Sequence, residues 1–192
     1  MKRLIYSIFA FAALALASAC DKQNPEPRPY LNTWVVNFNE TEDATKDEWA
    51  VFILNADGTT TFGEVFTKDV LADYRANDID TEKLTEEQKA FVDGLQENDV
   101  CAMEGWYSIK SHVLCFVADY VYDGNIERQH LSLHVKEVTK DHMLIFNGFD
   151  DQDEPVFCKA YSLETAPLKL GTFYEQKIFS EIPLKEEDSE RL

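Results

Sequence analysis

Basic residues are scarce. Eighteen lysines and arginines face 36 aspartates and glutamates in a chain of 192 residues, a formal charge of −18. Phosphate backbones and anionic lipid surfaces repel such a chain, which argues against nucleic acid as a partner. Glycine is scarce too, with seven in all, too few for an obvious phosphate-cradling loop. The Walker A, G-x-G-x-x-G, G-x-S-x-G and H-E-x-x-H patterns are missing. The sequence therefore offers no catalytic residues, no metal ligands and no cofactor, and it reads as non-catalytic. No strand–helix–strand alternation appears, so a parallel sheet is not expected. The four cysteines form no C-x-x-C pair.

The first twenty residues have three parts. Lys2 and Arg3 give a positive start, Leu4 to Leu16 is apolar apart from Ser7 and the Tyr6 hydroxyl, and Ala17-Ser18-Ala19 places small residues before Cys20. A positive region, a short apolar region and a small-residue cleavage site define a secretory signal over residues 1–19. The apolar run is shorter than the ~20 residues needed to span a bilayer. The cysteine makes the pattern more specific, because only a thiol accepts a diacylglyceryl group.

These residues resemble the lipobox of bacterial lipoproteins, with Ala17 where that family more often has Leu. The resemblance implies that Cys20 is acylated and becomes the new N-terminus. Several acyl chains on one residue give lasting attachment where a single chain gives only marginal binding. The implied location is the bacterial cell envelope, on the periplasmic or surface face of a membrane, the outer membrane first. The membrane is then a partner through the N-terminal lipid.

Residues 20–29 hold the cysteine and a segment with three prolines and no large apolar side chain. Proline favours extended backbone, so this reads as a solvated stalk. Loss of Lys2 and Arg3 leaves 16 basic residues against 36 acidic ones in the mature chain. Export permits disulfides. The remaining Cys101, Cys115 and Cys158 are odd in number, so at least one stays free or pairs between chains. Their apolar neighbours read as sites for small buried hydrophobes.

The rest alternates like strands. Leu31–Phe38 places Trp34, Val36 and Phe38 on one face. Trp49–Leu54 and Thr59–Phe66 flank Asn55-Ala56-Asp57-Gly58, a strong turn signal. Met103–Ile109 and Val113–Tyr122 flank Lys110-Ser111-His112. Ile126–Val138 sets Leu131, Leu133 and Val135 against His130, Ser132, His134 and Lys136, the pattern of a half-buried strand. Met143–Phe146 and Pro155–Leu163 complete eight. Eight sequential hairpin-linked strands predict an all-β antiparallel up-and-down barrel over residues 30–182, with a two-sheet β-sandwich as the alternative. Residues 68–99 form a helical insertion, with Thr85-Glu86-Glu87-Gln88 as a capping box and Leu84, Phe91 and Leu95 on one stripe. It reads as a surface helix on the barrel wall, the other placement being a lid over one mouth. Phe173, Tyr174, Ile178 and Phe179 are expected to pack on the barrel. Residues 183–192 read as an acidic disordered tail.

Polar clusters carry little chemistry. His130 and His134 share a face but lie about 13 Å apart at ~3.3 Å per residue, too far for one zinc ion with bonds of ~2.1 Å. A turn at Thr139-Lys140 sets His142 opposite Glu137, a rim ion pair. Asp150, Asp151, Asp153 and Glu154 read as a solvated loop, because the spacing is not that of an EF-hand. Trp34, Phe38, Trp49, Phe62, Phe66, Trp106, Tyr107, Phe116 and Phe146 either fill the interior or line a cavity in it.

The run Tyr30-Leu31-Asn32-Thr33-Trp34-Val35-Val36 after the stalk, the Asn-Ala-Asp-Gly hairpin, Gly105-Trp106-Tyr107-Ser108 and the eight strands together resemble the lipocalin-like domains of bacterial lipoproteins. That family places Gly-x-Trp at the first strand. Here Asn32 holds the glycine position, and only Trp34 carries over. The resemblance implies a barrel whose open end takes a small hydrophobic or amphipathic ligand, and strand parity sets Trp34, Leu131, Leu133 and Val135 on the interior lining. The alternative is a filled barrel that docks an envelope protein. Mass spectrometry of protein from the native host is expected to find Cys20 at the N-terminus with acyl mass added. Cys20→Ala is expected to move the protein out of the membrane fraction, and retention there would refute the anchor.

Overall fold

A computed structural model describes residues 29–38, 48–122, 125–150 and 152–185. The expected secretory signal, Cys20, nearly all of the expected stalk, Asp151 and the last seven residues lie outside the described residues. The eight predicted strands form: β1 (Thr33–Asn37), β2 (Trp49–Leu54), β3 (Thr59–Val65), β4 (Val100–Lys110), β5 (Val113–Tyr122), β6 (Asn125–Val138), β7 (His142–Phe149) and β8 (Pro155–Ser162). Each pairs antiparallel with its sequence neighbour, β3 pairs with β4 across the insertion, and β8 returns to β1. The sheet is a closed up-and-down barrel, and the sandwich alternative falls away.

Turn chemistry sets the hairpins. Between β2 and β3, Gly58 adopts a φ of +85°. There the Asp57 carboxylate accepts from the Thr59 amide at 2.9 Å and the Thr59 hydroxyl at 2.6 Å. Between β4 and β5, Ser111 and His112 both hold positive φ, 50° and 64°. That pair matches the turn whose twist suits a two-residue hairpin.

Inward-facing positions form one core, with Trp34, Val36, Phe52, Phe62, Phe116, Leu131, Leu133, Met143 and Ile145 among its members. One end of the barrel is closed by Tyr30 and Trp34. The Trp34 indole is fully buried and donates Nε1–H to the Tyr30 carbonyl at 2.8 Å.

At the opposite mouth, the insertion packs against the ends of β3 and β4. It contains α1 (Lys68–Asp73), a π-helical turn at Tyr74–Asp78 and α2 (Glu86–Gly94). The capping box forms as read: the Gln88 amide donates to the Thr85 hydroxyl, and the Thr85 amide donates to the Gln88 side chain. At the other end of α2, the Arg75 guanidinium donates to the carbonyls of Val92, Asp93 and Leu95. A cation there complements the helix dipole. Val70, Leu71, Tyr74, Val92 and Leu95 pack with Phe66 and Cys101 at the rim of the barrel. The insertion thus caps the β3–β4 side of this mouth, joined to inward-facing Cys101 and not to the outward cluster of Val35, Val51 and Val65, which differs from the expected wall-side placement. Phe66 follows the last inward position of β3, so the apolar surface in reach is the open end.

The C-terminal segment adds what the sequence pattern did not reveal. At Gly105, β4 makes its last pair with β5. A Cβ there would lie 2.2 Å from the Val117 carbonyl oxygen, so only glycine permits the close approach before the strands part. Into the gap comes β9 (Phe173–Glu175), pairing parallel to β4. Next comes α3 (Gln176–Ser180), whose first residue meets the open edge of β5. The Gln176 side-chain amide accepts from the Val121 amide and donates to its carbonyl, both at 2.9 Å, replacing a missing ladder rung. Before this wedge, Ala166, Leu168 and Leu170 cover outward-facing Val35, Trp49, Val51 and Val65. Of the apolar tail residues, Phe179 is buried, whereas Phe173 and Ile178 stay partly exposed. Gln176→Ala leaves two backbone groups of β5 unmatched. It is expected to cost about 1–3 kcal/mol in chemical denaturation, with faster amide exchange at Val121.

Candidate functional site

The four residues expected to line an interior do face inward: Trp34, Leu131, Leu133 and Val135 are all buried in the barrel core. They face other side chains. Phe52 stacks on Phe62 at 5.1 Å and on Phe116 at 5.0 Å between ring centroids, across the middle of the barrel. Phe38 meets Phe52 edge-on at 6.4 Å towards the capped end. Eight-stranded barrels are just wide enough for such side chains to fill them. Three of the aromatics grouped with an interior lie outside it: Trp49 under the C-terminal segment, Trp106 with 51% exposure, and Phe146 on the outer wall. Trp106 and Phe146 sit at outward parity, adjacent to inward Tyr107 and Ile145.

Under the cap lies a group that sequence reading passed over. Glu64 on β3 pairs with Ala50 on β2 and Cys101 on β4, and shares the inward face with Phe62. It is 6% exposed, and neither carboxylate oxygen has a hydrogen-bond partner. Burial pushes its pKa up to about 7, and repulsion from Glu48 and Asp78 adds to this. An isolated buried carboxylate costs several kcal/mol when ionised, so such groups hold their proton instead.

Two further titratable groups adjoin it. Burial pushes the Cys101 thiol well above its ordinary range, with Glu64 adding to the effect. The Tyr74 hydroxyl is raised by burial, then by Cys101 and Asp78, and it too lacks a hydrogen-bond partner. Thr60, Phe62, Glu64 and Phe66 alternate along β3, so period-two counting from Phe62 would have placed Glu64 inside.

Two clefts lie on the outside. One, about 530 Å³, is lined by His134, Lys136, Phe146, Pro155 and Phe157, with the Lys136 ammonium 4.4 Å from the centre of the Phe157 ring. The other, about 430 Å³, follows the gap beside β9, with Thr61, Glu104, Asp119, Phe173 and Lys177 among its walls. Arg128 pairs with Asp119 at 2.9 Å and holds that carboxyl below its usual range.

The other polar candidates are structural. His142 Nε2 lies 3.3 Å from Glu137 Oε1, the expected pair, although the register sets Glu137 opposite Leu144 and a bulge follows Val135. In the acidic loop, Asp150 accepts from the amides of Gln152 and Glu154 and so closes its own turn. Among the described residues, no three His, Cys, Asp or Glu side chains are grouped to hold a metal. Among the described residues, no disulfide links Cys101, Cys115 or Cys158. Cys101 and Cys158 are the expected buried hydrophobes, while Cys115 faces out, 3.5 Å from the Ser132 hydroxyl.

No protein-family model, curated protein or solved structure matches the chain. Under native conditions Cys115 is expected to alkylate first, with Cys101 and Cys158 reacting only on unfolding. Peptide mass mapping after a timed iodoacetamide pulse measures the order.

Proposed function

We propose that this is a non-catalytic lipoprotein of the bacterial cell envelope, held to a membrane by acyl chains on Cys20, whose barrel is a scaffold for docking an envelope protein on its outer surface. The observation that carries this reading is the filled interior, above all the Phe52–Phe62–Phe116 stack. A lumen occupied by its own rings leaves recognition to the exterior, where Trp106, Phe149 and Val156 stand partly uncovered. Exposed aromatic side chains of this kind serve as anchors in protein interfaces. The tripartite N-terminus supports the tether, and the missing catalytic patterns support a binding role.

A second reading keeps the small hydrophobic or amphipathic ligand implied by the lipocalin-like resemblance. One observation favours it: the unpartnered Glu64 carboxylate beneath the cap, a polar group with room in its hydrogen bonding for a ligand's donor. Such a ligand would enter only by displacing the cap.

Two measurements on protein from the native host decide between them. Native mass spectrometry is expected to give the mass of the lipidated chain alone. Photo-crosslinkers placed at Trp106 and at Phe149 are expected to capture one recurrent envelope protein, with none captured from Leu163, an exposed site used as control. A retained apolar molecule together with empty crosslinking lanes would reverse the order of the two readings.

A further inference from the structure

We infer that Glu64 is a proton-operated latch between the barrel and its cap: protonated, it lies buried and the cap stays seated, and ionised, it draws in water and loosens the cap from the mouth. The geometry is that of a joint. Glu64 sits on the inward face of β3 at the level of Ala50 and Cys101, where the barrel core ends and the cap core begins. Both of its oxygens are buried without a partner.

Among the described residues, none supplies a positive charge that acts on Glu64. Cys101 on β4 is a neutral thiol, and the insertion contributes the Tyr74 hydroxyl and the Asp78 carboxylate. Glu48, just ahead of β2, is a second acid that acts on it. From the tail, Phe179 brings an apolar ring onto Phe66 at 5.4 Å. Two cations lie at that turn, and both are engaged elsewhere: the Arg75 guanidinium on the carbonyls of Val92, Asp93 and Leu95, and the Lys185 ammonium 2.6 Å from the Ala76 carbonyl.

The cap gathers a hydrophobic cluster apart from the lumen core, which it shares with Phe66 and Cys101 at the rim and Phe179 of the tail. Tyr74 and Asp78 begin and end the single π-helical turn, a wide form that is uncommon and recurs at functional sites. The tail pins the same turn: the Lys185 amide donates to the Asp78 carbonyl, and the Asp80 amide donates to the Pro183 carbonyl.

The sign follows from linkage. A carboxyl with an ordinary pKa of 4.5 when the cap is open and about 7 when it is closed binds its proton more tightly in the closed form. Below 4.5 both forms are protonated and the closed cap carries no penalty. As pH rises from 4.5 through 7 the closed form loses ground, and above 7 the loss is complete. The latch thus closes in mild acid and slackens near neutrality, uncovering the mouth at the level of Val36 and Ala50. It would act on either kind of partner, so its test is separate from that of the docking reading.

Hydrogen exchange on the full mature chain, corrected for the intrinsic pH dependence of amide exchange, reads the opening of the cap. The opening constant of amides in residues 70–95 is expected to rise on the order of 30-fold between pH 5 and pH 7 and then level off. Amides of β6 and β7 should show no such slope. Glu64→Gln should hold the cap constant flat across the range. A flat wild-type profile, the same slope in β6 and β7, or an unchanged slope in the variant would overturn the latch. If Glu64→Gln does not fold, the carboxyl carbon of Glu64 in the wild-type protein decides by NMR: titration well above the ordinary carboxylate range upholds the latch, and titration at the ordinary value overturns it.

Discussion

Two seams close the sheet, and everything else in the molecule answers to them. Along one, β3 pairs with β4 over all seven residues from Thr59 to Val65. Along the other, β1 meets β8 through Trp34–Ser162, Val35–Tyr161 and Val36–Ala160. With both seams made, no strand edge of the barrel is left over its full length, and the inward side chains share one lumen of fixed width. That width is what the Phe52, Phe62 and Phe116 rings occupy. Dispersion and burial of apolar surface then stabilise the closed form, at about 1.5–3 kcal/mol for each large side chain removed from water.

The shorter seam explains the additions outside the barrel. Three pairs hold β1 to β8, and the outward faces of β1 and β2 are themselves apolar, with Val35, Trp49 and Val51 buried. The segment carrying Ala166, Leu168 and Leu170 covers them on its way back across the wall. It then reaches the opening left where Gly105 lets β4 part from β5, and Gln176 closes that opening with a side chain in the role of a backbone. The same tail continues to the cap, where Phe179 completes the second core. One stretch of chain therefore ties wall, gap and cap together, and the mouth is the place where the apolar logic is interrupted by Glu64.

Much of this was legible in the sequence because strand parity is a local property. Leu131, Leu133 and Val135 face inward for the same reason that His130, His134 and Lys136 face out. Asn55 to Gly58 announces its turn through residues that tolerate positive φ or bond their own backbone. Thr85 and Gln88 announce a helix start four positions wide. Three features were not legible because they depend on contacts distant in the chain. The place of the cap depends on which apolar surface the fold leaves uncovered, and the helical stripe of Leu84, Phe91 and Leu95 does not encode that. The parallel pairing of Phe173 to Glu175 follows from a gap that exists only after Gly105 brings β4 against β5. Glu64 is a different case, since its parity was readable, but a lone acid within an apolar alternation is easily taken for an irregularity.

The balance between a filled scaffold and an interrupted mouth rests on closure at both seams. An open sheet would expose Phe62 and Trp34, free the cap from its floor and leave Glu64 in water. The direct measurement is the set of cross-strand nuclear Overhauser effects at the two seams in the folded protein. Contacts linking Val35 with Tyr161 and Phe62 with Met103 are both expected in one species. Signals at one seam with none at the other, in a protein whose remaining strand pairs are intact, would contradict the closed barrel.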